Sequence, residues 1–203
     1  MSPKDPTGPA VGPVVLVGLM GAGKTTVGRR VAAGCGGRFV DLDAEIVRRA
    51  GRTVPAIFNA GGEVEFRRLE AEATRELAVA ADLGEPGATA RAGPLVVAAG
   101  GGWMTNRDAR AALPGAKTVW LRVAPSEAAR RLAVHVASRP LLEGVDAEER
   151  LEALLAERLP AYGEATYTVE TDGRTPEDVA RAVASVTGLP SRADDGAGRA
   201  PGG

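Results

Sequence analysis

The chain has 203 residues, 25 of them Lys or Arg and 26 Asp or Glu, and its formal net charge of −1 excludes a general nucleic-acid-binding surface. A single cysteine excludes an internal disulfide, and a single histidine excludes a histidine-rich metal site. Since no apolar run reaches about eighteen residues and the first residues lack a signal-peptide pattern, we expect a cytoplasmic protein that binds neither membrane nor nucleic acid.

Short apolar strands alternate with helical patterns along the chain, which is typical of a parallel sheet covered by helices on both faces. The predicted strands are residues 14–17, 38–41, 95–98, 118–121 and 168–170. The predicted helices are residues 24–33, 44–50, 63–80, 106–113, 125–133, 147–159 and 176–186. We expect one domain at residues 14–188, disordered tails at 1–13 and 189–203, and a surface loop at 82–94.

The first strand is followed by the segment GLMGAGKT at residues 18–25, and the first helix comes next. Glycines let successive backbone N–H groups curl around an anion, and the helix N-terminus adds partial positive charge. In such a loop Lys24 reaches the β- and γ-phosphates, and the Thr25 hydroxyl ligates Mg²⁺. The alternative is a glycine-rich turn that matches by chance. The strand before the segment, the helix after it and the Lys-Thr pair favour the phosphate-binding loop. The predicted nucleotide-binding residues are Gly21, Ala22, Gly23, Lys24, Thr25 and Thr26.

Two acidic residues, Asp41 and Asp43, stand at the end of the second predicted strand. Ligands of open α/β sheets bind beyond the carboxyl ends of the strands. Strand alternation predicts that both side chains point the same way. One would support Mg²⁺ through water while the other accepts a hydroxyl proton. Alternatively, they are solvated acids in a turn or the N-cap of the next helix.

The segment FNAGGEVEFRR at residues 58–68 places a glycine pair before a charged helix. Glu63 and Arg67 stand four residues apart, which fits an ordinary surface ion pair. Alternatively, one arginine turns into the cleft and binds an anion through two parallel hydrogen bonds. The pattern alone does not choose between these interpretations.

The third predicted strand runs directly into Gly100, Gly101 and Gly102. Many phosphate-loop enzymes carry an acidic magnesium ligand at this point, and this chain does not. Three bare backbone N–H groups at the carboxyl edge of the sheet suit close approach by a small polar ligand. We therefore predict a substrate contact here in preference to a plain loop.

Arginines bracket a segment of small and apolar residues further along the chain, with Arg130 and Arg131 before it and Arg139 in the RPLL segment after it. This pattern predicts a lid at about residues 130–146 that closes over the site and brings positive charge to the transferred phosphoryl group. The alternative is a solvated arginine in a linker. In the following helix, Arg158 shares one face with a leucine stripe.

Taken together, the chain resembles the shikimate kinase family. The matching segments are GLMGAGKTT at 18–26, DLD at 41–43, FNAGGEVEFRR at 58–68, AGGG at 99–102, RPLL at 139–142 and ERLPAY at 157–162. The resemblance implies a P-loop three-layer α/β/α sandwich, similar to nucleoside monophosphate kinases, with a five-stranded parallel sheet in the order 2-3-1-4-5. It implies a monomer that uses ATP and Mg²⁺ to phosphorylate the 3-hydroxyl of shikimate, the fifth step of the chorismate pathway toward aromatic amino acids.

On the nucleotide side, the resemblance implies that Lys24 and the lid residue Arg139 hold the phosphates and act in catalysis. Thr25 would ligate Mg²⁺, and Asp41 would support the ion through water. The segment before RPLL is longer than usual, so either Arg130 or Arg131 could meet the adenine. The resemblance assigns the adenine site to Arg131, Arg174 and Pro176.

On the substrate side, the resemblance implies that Asp43 binds the ring hydroxyls and accepts a proton. Arg67 and Arg158 would clamp the shikimate carboxylate. Gly100, Gly101 and Gly102 would add backbone contacts. The alternative is a gluconate-type or other small-metabolite kinase on the same scaffold.

Overall fold

The computed structural model describes residues 12–81, 93–133 and 147–190. Its strands are β1 (Val14–Val17), β2 (Arg38–Asp41), β3 (Leu95–Ala98), β4 (Lys117–Arg122) and β5 (Tyr167–Glu170). Its helices are α1 (Lys24–Cys35), α2 (Leu42–Ala50), α3 (Val54–Ala80), α4 (Arg107–Ala111), α5 (Pro125–Ala133), α6 (Ala147–Tyr162) and α7 (Pro176–Thr187), and a 3₁₀ turn spans Trp103–Thr105. Most of the predicted loop at 82–94 and of the predicted lid at 130–146, including Arg139, lies outside the described residues.

The five described strands form one parallel sheet in the order β2-β3-β1-β4-β5, which confirms the predicted fold class. Central strand β1 pairs with β3 on one side and β4 on the other, so that Val15 lies between Val97 and Thr118. Every residue of β1 and β3 is buried. Continuous apolar strands of this kind are expected where helices cover both faces of a parallel sheet.

The two faces of the sheet carry separate hydrophobic clusters, because successive side chains of a strand point to opposite faces. Leu16 belongs to a cluster that includes residues of α1, α5, α6 and α7. Val17 belongs to a second cluster with residues of α2, α3, α4 and α6. The described residues therefore form the predicted three layers.

Helix α3 begins at Val54, well before the predicted start at residue 63. Thr53 caps this helix by accepting a hydrogen bond from the Ala56 N–H at 3.3 Å, and a proline stands in the first turn. Gly62 has φ 63° and ψ −162°, so two helical segments join there at a kink. The prediction treated the glycine pair as the start of the helix, although Thr53 and the proline were the available start signal.

The ends of the folded domain extend slightly beyond the predicted limits. Leu189, assigned to the C-terminal tail, is buried and belongs to the core. Pro13, assigned to the N-terminal tail, accepts a hydrogen bond from the Lys117 N–H at 2.8 Å. Both residues therefore belong to the ordered structure.

Candidate active site

The phosphate loop lies between β1 and α1 and packs closely against neighbouring backbone. A Cβ at Gly18 (φ 139°) would lie 2.5 Å from the Leu121 carbonyl oxygen, and one at Gly21 (φ 82°) would lie 2.8 Å from the Ala128 carbonyl oxygen. Lys24 Nζ donates hydrogen bonds to the Gly18 and Leu19 carbonyls at 2.9 Å each. Among the described residues no side chain caps α1. This helix N-terminus thus keeps the features of an anion-binding site.

Thr25 and Asp41 form an oxygen pair beside the loop. The Thr25 hydroxyl donates a hydrogen bond of 2.7 Å to Asp41 Oδ2. Asp41 Oδ1 accepts from the Ala44 N–H at 3.3 Å and caps α2, so Asp41 also performs the capping role that the sequence left open. The described residues contain no cluster of three His, Cys, Asp or Glu side chains suited to a metal. A hydroxyl and one carboxylate nevertheless fit Mg²⁺, which usually completes its coordination with phosphate oxygens and water.

Asp43 reaches the site for a different reason from the one predicted. Strand β2 ends at Asp41, and Asp43 lies in the first turn of α2, so the argument from strand alternation is wrong. The first helical turn instead directs Asp43 toward the segment after β3. A Cβ at Gly100 would lie 2.9 Å from Asp43 Oδ1.

Three consecutive glycines after β3 lie against three of the predicted substrate residues. Gly100 faces Asp43. A Cβ at Gly101 would overlap Arg158 Nη1, and a Cβ at Gly102 would overlap Arg67 Nη2. Neighbouring Cα atoms are about 3.8 Å apart, so both guanidinium groups and one carboxylate meet at this short segment.

Arg67 forms the surface pair that was one of the two interpretations, and it also contacts a buried carboxylate. Its Nη2 donates to Glu63 Oε1 at 2.8 Å, which is the surface pair. Its Nη1 turns inward and donates to Glu70 Oε2 at 2.9 Å, beside the glycine segment. The guanidinium group is therefore held from both sides, with its position set by two carboxylates.

Glu70 is fully buried beneath the site. Burial raises the pKa of its carboxyl group above 4.5, and the nearby Asp43 adds to the rise, whereas Arg67 and Asn106 oppose it. Among the described residues none donates a hydrogen bond to Glu70 Oε1. A Cβ at Gly100 would lie 3.4 Å from that oxygen, so two carboxyl groups meet near the first glycine.

Asn106 connects the glycine segment to α3. Its Nδ2 donates to the Arg67 carbonyl and to Glu70 Oε2, both at 2.9 Å. Its Oδ1 accepts from the Ala109 N–H at 3.2 Å and caps α4. One buried amide therefore fixes the start of α4 relative to the Arg67–Glu70 pair.

Arg158 lies on α6, whose leucine face is packed as predicted, with Leu151 fully buried. Arg158 Nη1 and the Tyr162 hydroxyl both lie close to Gly101, and the hydroxyl donates to the Gly101 carbonyl at 2.8 Å. Burial raises the pKa of Tyr162, so the phenol stays protonated at neutral pH.

Arg131 contacts the phosphate loop, and Arg130 stays on the surface. Arg131 Nη1 donates to the Gly21 carbonyl at 3.4 Å, and its Nη2 donates to the Thr171 carbonyl at 2.9 Å. Arg130 is 70% exposed and pairs with Glu127. Hydrogen bonds from Arg130 and then Arg131 lower the pKa of Glu127 to about 2, so this carboxylate stays charged and holds both arginines.

Arg174 and Pro176 lie where β5 passes into α7. Arg174 donates to the Glu170 carbonyl at 3.2 Å and to the Asp178 carbonyl at 3.0 Å. Pro176 opens α7 after the Thr175 cap. Thr171 lies in the same connection, just before Arg174, and its carbonyl accepts a hydrogen bond from Arg131. Since Arg131 also contacts Gly21, the connection between β5 and α7 lies close to the phosphate loop.

Three residues of this network were not predicted from the sequence, namely Glu70, Asn106 and Tyr162. Glu70 follows Arg67 at the i+3 spacing of a helical ion pair, which was an available signal. Tyr162 lies in the ERLPAY segment, in which a substrate role was predicted only for Arg158. Asn106 gave only a helix-start signal, and nothing local indicated its contacts with α3.

Comparisons with known proteins bear on the family and the fold of the chain. A family model described as shikimate kinase matches residues 20–187. A shikimate kinase from Thermobifida fusca is 46% identical over 181 residues, covering 89% of this chain and 96% of the relative. The structure of shikimate kinase from Acinetobacter baumannii in complex with shikimate is 38% identical, with a TM-score of 0.72 over 87% of this chain and 92% of that chain. A gluconokinase structure from Sinorhizobium meliloti is 20% identical over 88% of this chain and 93% of that chain, with a TM-score of 0.52, and shares the fold alone.

Proposed function

The chain belongs to the shikimate kinase family, and on that premise we propose that it transfers the γ-phosphoryl group of ATP to the 3-hydroxyl of shikimate. Membership makes the chain an ATP-using phosphotransferase that acts on a small molecule. The product would be shikimate 3-phosphate, at the fifth step of the chorismate pathway. The observation that carries the proposal is the meeting of Asp43, Arg67 and Arg158 at three adjacent glycines.

The two arginines would bind the carboxylate of the substrate. A unit charge at about 4 Å contributes about 4 kcal/mol at an effective dielectric of about 20. A neutral hydrogen bond contributes about 1 kcal/mol. Arg67 and Arg158 should therefore dominate recognition and select a ring that carries an acid group. Backbone contacts from Gly100, Gly101 and Gly102 would add to the fit around the ring.

Asp43 would orient the reacting hydroxyl and accept its proton. Its carboxylate lies at the glycine next to those that the two arginines contact, so a substrate held by its carboxylate can present a hydroxyl to it. Phosphoryl transfer passes through a loose transition state, and positioning therefore contributes more than proton removal. The orienting role is the more important of the two.

The nucleotide phosphates would bind at Gly21, Ala22 and Gly23 and at the N-terminus of α1, with Lys24 turning from its loop carbonyls to the phosphates. Mg²⁺ would neutralise phosphate charge, and Thr25 and Asp41 would hold it. Arg139 from the lid would add positive charge. The adenine contacts are assigned to Arg131, Arg174 and Pro176, and Thr26 would add to the nucleotide site.

We further expect a monomer that works in the cytoplasm without nucleic acid or membrane. Among the described helices, none is both long and apolar enough to cross a bilayer. Gel filtration with light scattering would measure the mass of the particle, and a stable dimer would contradict the monomer.

A coupled assay of ADP release tests the proposed reaction. We expect turnover with shikimate and little with gluconate, and phosphorus NMR of the product should place the phosphate on the 3-oxygen. Lys24→Ala is the matched control, because it removes the phosphate-binding cation and leaves the glycine segment unchanged. Turnover with gluconate and none with shikimate would replace the proposal by the gluconate-type alternative, whose fold this chain shares.

A further inference from the structure

We propose that Tyr162 is a positioning residue whose hydroxyl sets Arg158 and the Gly101–Gly102 peptide for carboxylate binding. The inference rests on the proposed function and extends it to a residue outside the sequence-based assignment. Tyr162 stands at the end of α6, four residues after Arg158, so both side chains project from one face of the helix.

The Tyr162 ring is fixed by the protein core. The side chain is fully buried, and its ring stacks on Trp120 of β4 with centroids 5.5 Å apart and an angle of 27° between the planes. An aromatic side chain packed in this way has little rotational freedom. Its hydroxyl therefore offers a stationary hydrogen-bonding group at the edge of the site.

The hydroxyl contacts the substrate site directly. It donates to the Gly101 carbonyl at 2.8 Å. The Arg158 guanidinium lies close by, since a Cβ at Gly101 would overlap Arg158 Nη1 and would lie 3.3 Å from the hydroxyl. A long, half-buried arginine loses rotamer freedom when it binds a ligand. An anchor present before binding reduces that entropic cost.

The bond to Gly101 also sets a second contact. In a trans peptide the N–H of the following residue points opposite to the carbonyl. Holding the Gly101 carbonyl toward Tyr162 therefore directs the Gly102 N–H away from it. One phenol oxygen thus orients a guanidinium and a backbone donor, which are two of the groups proposed to hold shikimate.

Tyr162→Phe removes this oxygen and keeps the ring. We expect the KM for shikimate to rise by about tenfold, because the Arg158 guanidinium loses a polar neighbour and the Gly101 carbonyl loses its hydrogen-bond donor. The kcat and the KM for ATP should change by less than about twofold. Tyr167→Phe is the matched control, since Tyr167 is the chain's other tyrosine and lies on edge strand β5. An unchanged KM for shikimate in Tyr162→Phe would overturn the inference.

Two further arms separate positioning from a purely structural role. With shikimate methyl ester, which lacks the charged acid group, Tyr162→Phe should have at most a twofold effect on kcat/KM. In an Arg158→Ala background, Tyr162→Phe should raise the shikimate KM by less than it does in the unsubstituted enzyme, because only the contact set through Gly101 is then left to lose. Equal losses with acid and ester, or full additivity with Arg158→Ala, would each contradict the inference.

Fluorine NMR supplies a measurement on the protein with its tyrosines in place, should the variant fail to fold. In protein labelled with fluorotyrosine, the Tyr162 resonance should shift on addition of shikimate, and the Tyr167 resonance should stay. The Tyr167→Phe protein assigns the two signals. A Tyr162 signal that is unaffected by saturating shikimate would overturn the inference. If the unsubstituted enzyme neither binds nor phosphorylates shikimate, the proposed function fails instead.

Discussion

The absence of a side chain at Gly102 makes room for the guanidinium of Arg67. The sequence predicted these glycines as donors of backbone contacts, but the structure gives a second reason for each of them. A Cβ at Gly100 would crowd Asp43, one at Gly101 would overlap Arg158, and one at Gly102 would overlap Arg67. The glycine segment therefore sets the positions of the charged side chains as well as exposing the backbone.

Gly102→Ala should impair substrate binding more than folding. Gly102 has φ −103° and ψ 4°, which alanine can adopt, so the substitution brings no backbone penalty of the left-handed kind. The added methyl group displaces the flexible end of Arg67, and we expect the KM for shikimate to rise by at least about tenfold, a cost near 1.4 kcal/mol. Steady-state kinetics with each substrate varied would measure the change.

Gly34→Ala is the matched control for that substitution. Gly34 lies in α1, and a Cβ there meets nothing within 4 Å among the described residues. Its kinetics should remain those of the unsubstituted enzyme. An equal loss for shikimate and ATP in Gly102→Ala would show that the methyl group disturbs the whole site, contrary to the specific clash with Arg67.

Asp43→Asn tests the carboxylate at the first glycine. The amide keeps the shape of the side chain but cannot accept a proton as a base, and general-base catalysis contributes about 10²–10⁴ in rate. We expect kcat to fall by about a hundredfold, with the dissociation constant for ATP nearly unchanged in a titration. An unaltered kcat would leave Asp43 with a role in ring positioning only.

Several elements meet at Asp41, which joins the end of β2, the start of α2 and Thr25 of α1. The N-cap bond and the hydroxyl contact use different oxygens of one carboxylate. This geometry explains why the two interpretations of Asp41 from the sequence, helix cap and support for a cation, are compatible. The contribution of each can be separated by substitution.

Asp41→Asn and Asp41→Ala should separate the two roles. Asparagine still caps α2 through its carbonyl oxygen, so the free energy of unfolding should change by only a few tenths of a kcal/mol, whereas alanine should cost about 1 kcal/mol. Both variants lack the charge, and both should need several-fold more Mg²⁺ for half-maximal activity. Urea unfolding and a magnesium titration of activity would measure these effects. Unchanged magnesium dependence in both variants would remove Asp41 from the metal site.

The positions of β1 and β3 could be predicted because glycine follows each of these apolar runs at or near its end and interrupts the strand. Val14–Val17 meets Gly18, and Leu95–Ala98 runs toward the glycine segment, so these predicted and observed bounds coincide. The first half of α3 was missed because Gly62 looked like a helix boundary. Its φ and ψ do interrupt the helix, but the Thr53 cap starts another helical segment before it.

Arg67 shows what local pattern cannot decide. Glu63 and Glu70 flank it at i−4 and i+3, so a helical ion pair and a turn toward the cleft fit the same spacing. The choice depends on how α3 lies relative to the segment after β3. That relation comes from packing between elements far apart in sequence, such as the bond from Asn106 to the Arg67 carbonyl.

In the molecule as a whole, the sheet separates two hydrophobic clusters, and the site lies at the carboxyl edge of the strands. The alternation of strands and helices predicted a parallel sheet covered on both faces, and the resemblance carried by the ordered motifs implied its strand order. The supporting residues Glu70, Asn106 and Tyr162 were not predicted. Asn106 and Tyr162 act through partners on other elements, whereas the i+3 spacing of Glu70 from Arg67 was a signal that fits any surface pair. Of these, Glu70 has a consequence for the stability of the entire domain.

The stability of the domain should depend on pH through Glu70. Burial raises the pKa of this carboxyl group above 4.5, with Asp43 adding to the rise and Arg67 and Asn106 opposing it. Between pH 4.5 and the raised value, the folded protein keeps a proton that the unfolded chain releases. The contribution of the protonated Glu70 carboxyl group to the free energy of unfolding is therefore fully present below pH 4.5. It is lost as pH rises through the pKa of this group in the folded state.

Glu70→Gln keeps an oxygen acceptor for Arg67 and removes the proton equilibrium. The free energy of unfolding of the unsubstituted protein, relative to this variant, should fall as pH rises from 4.5 toward neutrality. Urea unfolding at a series of pH values measures that difference. Glu63→Gln is the matched control, because Glu63 pairs with the same guanidinium from an exposed position. The prediction is wrong if the free energy of unfolding of the unsubstituted protein, relative to Glu70→Gln, stays constant over the pH series. Glu70 would then ionise at its ordinary pKa despite its burial, because Arg67 and Asn106 compensate the desolvation in full.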